Sequence, residues 1–282
     1  MIRSRASKST SGDYVETVPE DMLQAERQER IVDWFDHNVG GSNQELARLF
    51  NASVSTIRRD LDALAARGIV RRTHGGAVRT RQQVTEEQSI VEARGTAVEE
   101  KRAIAVEAAR RLSAGQSILI DTGSTVYPFA QLVADLKIPL TVVTSDLMVA
   151  NMLTDKPHIQ LIVPGGLCRS EAFTLLGEPG FSFLRGLRVD QFFMSAQAVD
   201  EQCVSDTFLE LVTLKRLMLD ATTHTILLID SSRFASRAIH RVADLTGIQE
   251  IITDDGLGDA EYQRYLQLNV KITRARTDVP TL

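Results

Sequence analysis

The sequence predicts an α/β protein in two parts: a small N-terminal module of three helices and a hairpin, then a larger domain built on a mostly parallel sheet. Three observations predict this. Residues 53–67 carry an apolar stripe at helical spacing with arginines on the far side, and a short basic hairpin follows. From residue 117 onward, continuous apolar runs alternate with amphipathic stretches. The 282 residues leave room for one small and one medium core.

The N-terminal elements follow in order. Ile31, Trp34 and Phe35 share one face of a first helix that ends before Gly40-Gly41. Ser42-Asn43-Gln44-Glu45 is a capping box, in which the serine hydroxyl and the glutamate three residues on each accept a backbone N–H. It opens a second helix through Phe50, with Leu46, Ala47 and Phe50 apolar. Asn51-Ala52 makes a tight turn. Ser53 then caps a third helix whose stripe is Val54, Ile57, Leu61 and Leu64, and Gly68 stops it. Ser55 and Arg59 point almost opposite that stripe, with Thr56 and Arg58 on its flanks. Gly75-Gly76 form the turn of a hairpin carrying Arg71, Arg72 and His74. Three helices and a hairpin in this order make a winged helix-turn-helix.

Charge says what such a module touches. Between Arg58 and Arg81 stand seven arginines and two acids, a local net of +5 in a chain of net −5, so the remainder nets −10. Arginines that were merely solvated would need no such segregation, whereas a polyanion-binding module does. The planar arginine fork pairs bidentately with guanine or phosphate. Ser53, Ser55, Thr56, Arg58 and Arg59 are therefore candidates for base edges and nearby phosphates of duplex DNA, and Arg71, Arg72 and His74 for the backbone beside the groove. A single winged module reads one half-site, so a homodimer or homotetramer is expected.

Composition excludes other classes. Apolar content of 43% with 24% charged residues is ordinary for a soluble domain. No apolar run approaches the ~20 residues that span a bilayer, and the N-terminus lacks the apolar region of a secretory signal. Cys168 and Cys203 stand alone, with no CxxC or His/Cys cluster. The expectation is a cytoplasmic protein with no membrane partner, no metal, no cofactor and no disulfide framework. Residues 1–22, rich in Ser, Thr and charge, are expected to form a disordered tail. Residues 23–79 are the winged module, 80–96 a linker with some helix, and 97–282 the second domain.

In that domain, strands are expected at 117–120, 140–143, 159–163, 191–194, 225–229, 250–252 and 270–272. Helices are expected at 126–136, 147–153, 208–221 and 260–266. Continuous apolar strands separated by helices argue for a parallel sheet covered on both faces. Polar segments follow many of the strands: Asp121-Thr122-Gly123-Ser124-Thr125, Thr144-Ser145-Asp146, Pro164-Gly165-Gly166, Asp230-Ser231-Ser232-Arg233 and Thr253-Asp254-Asp255. In an open parallel sheet these ends lie together and ligands bind outside them. Glycine and hydroxyl residues at a helix start suit a phosphate, although the same types are ordinary caps, and for 121–125 alone the two readings are even. Lys215 sits on a mostly apolar helix, where periodicity alone favours a side chain snorkelling to solvent over one reaching a ligand.

Two sets of motifs, taken in order, resemble the DeoR family of bacterial transcriptional regulators. The first is Glu45-Leu46-Ala47, Thr56-Ile57-Arg58-Arg59-Asp60-Leu61, Gly68 and Arg72-Thr73-His74-Gly75-Gly76-Ala77. The second is Lys101-Arg102-Ala103-Ile104-Ala105, Asp121-Thr122-Gly123-Ser124-Thr125, Val143-Thr144-Ser145, Gly165-Gly166, Lys215-Arg216-Leu217-Met218 and Asp230-Ser231-Ser232-Arg233-Phe234. The resemblance spans roughly residues 25–255. It implies a repressor of carbohydrate catabolism that answers to a phosphorylated sugar or related metabolite. It also implies a sensor similar in fold to ribose phosphate isomerases and glucosamine phosphate deaminases. Carried over by position, Gly123, Ser124 and Thr125 form the phosphate loop, and Asp121, Thr144, Ser145, Gly165, Gly166, Lys215 and Asp230 line the pocket. The chain departs from the family pattern at Val126, Ser145, Leu211 and Arg233. The competing class is an isomerase or deaminase acting on a sugar phosphate. That chemistry needs a positioned base, and of Asp121, Asp190 and Asp230 none announces itself as one.

Overall fold

The computed structural model describes residues 23–38, 40–67, 69–79, 83–84 and 89–278. The expected tail, Gly68 and most of the linker before residue 89 lie outside them.

The winged module is built as its sequence directs. It contains α1 (Gln24–His37), β1 (Gly40–Ser42), α2 (Asn43–Leu49), α3 (Val54–Ala66), β2 (Val70–Arg72) and β3 (Gly76–Arg79). Ser42 Oγ accepts the Glu45 N–H at 3.1 Å while Glu45 Oε2 accepts the Ser42 N–H at 3.3 Å, which completes the capping box. Ser53 Oγ accepts the Thr56 N–H at 3.1 Å and starts α3. Ile57, Leu61 and Leu64 are wholly buried against Ile31, Phe35, Leu46, Phe50 and Val70. Val54 is a correction, since it is exposed and the core stripe begins at Ile57. Gly76 is another. It lies in β3 rather than in the turn, paired with Ser42 of β1, and a Cβ there would sit 2.0 Å from the Gly41 carbonyl oxygen. Close strand approach, more than turn geometry, requires a glycine at that position.

Next come β4 (Gln83–Val84), α4 (Ile90–Gly95) and α5 (Val98–Ala109). The second domain follows with β5 (Ser117–Ile120), α6 (Val126–Asp135), β6 (Leu140–Thr144), α7 (Leu147–Leu153) and β7 (Ile159–Ile162). A hairpin, β8 (Leu167–Arg169) with β9 (Thr174–Leu176), precedes α8 (Gly180–Arg185) and β10 (Gln191–Met194). Then come β11 (Ala198–Val199), β12 (Cys203–Asp206), α9 (Leu209–Asp220), β13 (Thr225–Leu228), β14 (Arg237–Ala238) and β15 (His240–Asp244). The last elements are β16 (Glu250–Asp254), α10 (Asp259–Gln267) and β17 (Lys271–Ala275).

Seven of these strands form one all-parallel sheet in the order β17-β16-β13-β10-β5-β6-β7. Its five inner strands are buried on both faces, which explains their continuous apolar runs, while the edge strands β7 and β17 are partly open. Ile118, Ile120, Val142 and Phe193 pack under Ile104 of α5, Phe129 of α6 and Val149 of α7. Leu119, Phe192, Met194 and Leu227 pack under Leu184 of α8, Val212, Leu214 and Met218 of α9 and Tyr265 of α10. From β5 the chain first winds outward through β6 and β7, then returns to lay β10 on the other side of β5. The strand order therefore reverses between β5 and β10, and a crevice opens there at the strands' C-terminal ends. A small antiparallel sheet, β11-β12-β15, was not expected. Among the described residues, no helix is long and apolar enough to cross a membrane.

Candidate functional site

Two surfaces emerge. The first is the outer side of α3 with the adjoining hairpin. Ser55, Arg58 and Arg59 are exposed on α3, Thr56 is half-buried, and Arg71 and His74 are exposed on the hairpin. The two acids of this stretch are both paired with arginines of the same module, Asp60 in the interior and Asp62 at the surface. Asp60 is buried and accepts from Arg27 Nε at 2.6 Å and Gln28 Nε2 at 3.1 Å. Asp62 pairs with Arg72 Nε at 2.8 Å. With one carboxylate buried and the other paired to Arg72, the exposed arginines leave this face cationic.

Two of the candidates for DNA contact have other work here. Arg72 also donates from Nη1 to the Gly76 carbonyl at 2.7 Å and to Asn43 Oδ1 at 3.3 Å, so its guanidinium braces the hairpin against α2 and α3. Ser53 Oγ caps α3 and lies 2.8 Å from the hydroxyls of both Ser55 and Thr56.

The second surface is the crevice between β5 and β10. It encloses about 160 Å³ and is lined by Thr122, Ser124 and Thr125 after β5, Ser195 to Gln197 after β10, and Arg233 after β13. The hairpin contributes Arg169, Ser170, Glu171, Ala172 and Thr174. Asp206, Leu211 and Lys215 form its floor, and Ser89, Ile90 and Ala93 come from α4 and the residue before it.

Of the residues expected to line a pocket, Ser124, Thr125 and Lys215 do so. Lys215 does not snorkel: it is 1% exposed, because two carboxylates distant in sequence meet it inside. Its Nζ donates to Asp206 Oδ2 at 2.9 Å and to the Ser195 carbonyl at 2.6 Å, and lies 3.2 Å from Asp121 Oδ2. Burial would lower the lysine's pKa, but Asp121 and Asp206 outweigh it, so the value is raised and the ammonium stays charged.

The other expected residues lie behind the lining and shape it. Asp121 is wholly buried and accepts from the Ser195 N–H at 2.9 Å. Gly123 has φ +130°, and a Cβ there would meet Ser195 Oγ at 2.8 Å. Thr144 Oγ1 accepts the Asp146 N–H at 3.1 Å, and the Ser145 carbonyl accepts the Leu175 N–H at 2.8 Å, which ties the hairpin down. Gly165 has φ +89° and its carbonyl lies where a Cβ on Gly180 would be; Gly166 leaves room for the Leu176 carbonyl. Asp230 accepts from Ser232 Oγ and stands 3.8 Å from Arg233 Nε, so it orients the arginine.

Sequence reasoning missed Arg169, Glu171, Thr174, Ser195, Gln197, Asp206 and the α4 residues. One usable signal existed for Ser195 to Gln197, since they follow a predicted strand as directly as 121–125 do. Arg169 stacks over the Phe208 ring at 3.9 Å. Thr122 Oγ1 donates to Asp146 Oδ2 at 3.0 Å and lies 2.7 Å from Thr174 Oγ1, joining the loop after β5 to the hairpin. Among the described residues, no group of three or more His, Cys, Asp or Glu is placed to hold a metal.

The profile of a DeoR-like helix-turn-helix domain matches residues 27–83, and that of the DeoR C-terminal sensor domain matches residues 96–255. The HTH-type transcriptional regulator YulB of Bacillus subtilis (strain 168) is 33% identical over 89% of this chain and 97% of its own length. The L-fucose operon activator of Haemophilus influenzae is 35% identical, covering 86% and 96%. The glycerol-3-phosphate regulon repressor of Escherichia coli (strain K12) is 29% identical, covering 83% and 92%. Among solved structures, ribose 5-phosphate isomerase A from Methanocaldococcus jannaschii superposes with a TM-score of 0.38 and 16% identity over 49% of this chain and 55% of that one.

Proposed function

The chain belongs to the DeoR family of transcriptional regulators, and on that premise we propose that its operator affinity is set by a phosphorylated sugar or closely related metabolite bound in the crevice between β5 and β10. The observation that carries this is the crevice itself. Hydroxyls of Ser124, Thr125 and Ser195 and the start of α6 converge there with Arg169 and Arg233, while the lining acid Asp206 is already paired with Lys215. The names of two relatives, one a glycerol-3-phosphate regulon repressor and one an L-fucose operon activator, support a phosphate and a sugar as its chemistry.

On this reading Ser55, Thr56, Arg58 and Arg59 reach base edges and phosphates from α3, and Arg71 and His74 hold the backbone. Arg72 and Ser53 act by keeping the hairpin and α3 in shape. The protein represses carbohydrate-catabolism genes in the cytoplasm as a homodimer or homotetramer, with one winged module per half-site. Its crevice binds without turnover, since Asp121 and Asp206 are both held by Lys215 and neither is poised as a base.

A metabolite that shifts operator affinity by about 10–100-fold needs a coupling of only about 1–3 kcal/mol. Gel-shift titration of the chain's own upstream DNA tests the reading, with sugar phosphates and their unphosphorylated parents added in turn. A phosphorylated compound is expected to change the affinity and its parent to leave it alone. A response to unphosphorylated sugars only, or sustained conversion of a sugar phosphate to product, overturns it.

A further inference from the structure

Helix α4 lies between the two family-matched stretches and belongs to neither, yet it walls the crevice. Ser89, Ile90 and Ala93 line it together with Ser124, Lys215 and Arg233. The helix is anchored at its far end. Lys101, 2% exposed on α5, donates from Nζ to the Ala93 carbonyl at 2.5 Å and the Thr96 carbonyl at 2.7 Å, satisfying carbonyls that a helix end leaves open.

Segment 231–238 supplies a second connection. Its Arg233 reaches the crevice, and Ser236 Oγ donates to the Arg233 carbonyl at 2.6 Å. Residues 231–233 also pack against α1 of the winged module. A few residues on, β14 pairs in parallel with β4, the strand that leaves that module. The Ala238 N–H donates to Ser205 Oγ at 2.9 Å and Arg237 Nε to Asp200 Oδ2 at 2.7 Å, which fixes β14 to the sensor. Between these attachments Ala235 holds a left-handed φ of +51°, a conformation that persists for a non-glycine only when its surroundings dictate it.

A ligand shifts the placement of the DNA-binding module only through contacts that differ between the two states. A ligand in this crevice has such contacts on two sides. We propose that the effector site is completed by α4, through Ile90 and Ala93, and that a phosphate-bearing ligand held between α4 and Arg233 alters operator affinity by changing how the interdomain segment seats on residues 231–238. The proposal rests on reading the crevice as a phosphate site.

Hydrogen exchange on the full chain tests it, with inorganic phosphate as the probe against chloride at equal ionic strength. Exchange is expected to slow in peptides covering 89–96 and 231–238 as well as in 122–125. Protection confined to 122–125 overturns the proposal and leaves the phosphate reading intact, whereas no protection anywhere in the crevice defeats both. Calorimetry adds a second arm. Ile90→Glu, which sets a carboxylate against the anion, is expected to weaken phosphate binding by about tenfold or more, and Ile90→Leu to leave it near wild type. Undiminished phosphate affinity in Ile90→Glu removes α4 from the site.

Discussion

Asp60 on α3 accepts a 2.6 Å hydrogen bond from Arg27 Nε on α1 while its own side chain is only 1% exposed. An ionic contact therefore joins the helix carrying Arg58 and Arg59 to the first helix of the module, with Gln28 as a second donor at 3.1 Å. Removing one partner of a buried pair leaves the other desolvated, at a loss of about 3 kcal/mol. Asp60→Ala is expected to lower the stability of the winged module by that order. Trp34 is the chain's one tryptophan and sits in this module, so its fluorescence during denaturant unfolding isolates the effect. A change below about 0.5 kcal/mol, the usual range for surface substitutions, would remove the clamp from the account.

Arg59 and Arg72 are alike in sequence and separable by experiment. Arg59→Ala is expected to weaken operator binding and to flatten the dependence of log affinity on log salt by about one unit, the mark of a lost phosphate contact. The Trp34 unfolding midpoint should not move. Arg72→Ala is expected to lower that midpoint, because it removes the bonds to Gly76, Asn43 and Asp62. Equal midpoints for both variants would place Arg72 on the DNA rather than in the scaffold.

Glu250 sits at the opposite end of the sheet from the crevice and contributes to acid stability. Its fully buried carboxylate accepts from Arg111 Nη2 at 2.8 Å, Lys271 Nζ at 2.9 Å and Thr273 Oγ1 at 3.0 Å. Burial alone would raise its pKa, but these donors overcome it and hold the carboxyl at about 2, against an ordinary 4.5. The folded value lies below the unfolded one. The contribution is therefore complete above about pH 4.5 and disappears as pH falls toward 2, and it amounts to a few kcal/mol, on the order of 3. Glu250→Gln should flatten the stability profile across that window. Parallel profiles for wild type and variant would contradict the assignment.

How much of this was legible in the sequence follows from what each signal measures. Period and run length read the sheet, because strands buried on both faces must be apolar throughout, and Ser42 and Ser53 announced their helices by capping chemistry. Lys215 was misjudged from its helix alone. Helical phase cannot see that Asp121 and Asp206, the second in a short, fully buried strand, meet the lysine inside. The hairpin 167–176 escaped notice because Cys168 and Arg169 give it no apolar alternation, although it forms one side of the crevice. Glycines 165 and 166 were expected to line the pocket and stand behind it instead. They pack backbone against Gly180 and Leu176, contacts with partners that no local pattern specifies.

Gly123 offers the sharpest test of the crevice. Its φ of +130° is open to glycine and closed to side chains, and a Cβ would lie 2.8 Å from Ser195 Oγ. That hydroxyl has little freedom to retreat, because it donates to the Thr122 carbonyl at 2.8 Å and is held 3.3 Å from Asp121 Oδ2. Gly123→Ala must therefore displace the loop that presents Ser124 and Thr125, at a loss of about 1–3 kcal/mol in stability. The expected outcome is a protein that binds its operator as wild type does and has lost most of its response to the phosphorylated effector. Gel-shift titrations with and without effector read the loss. A response of wild-type size in Gly123→Ala alone would mean that the ligand is held elsewhere than at this loop.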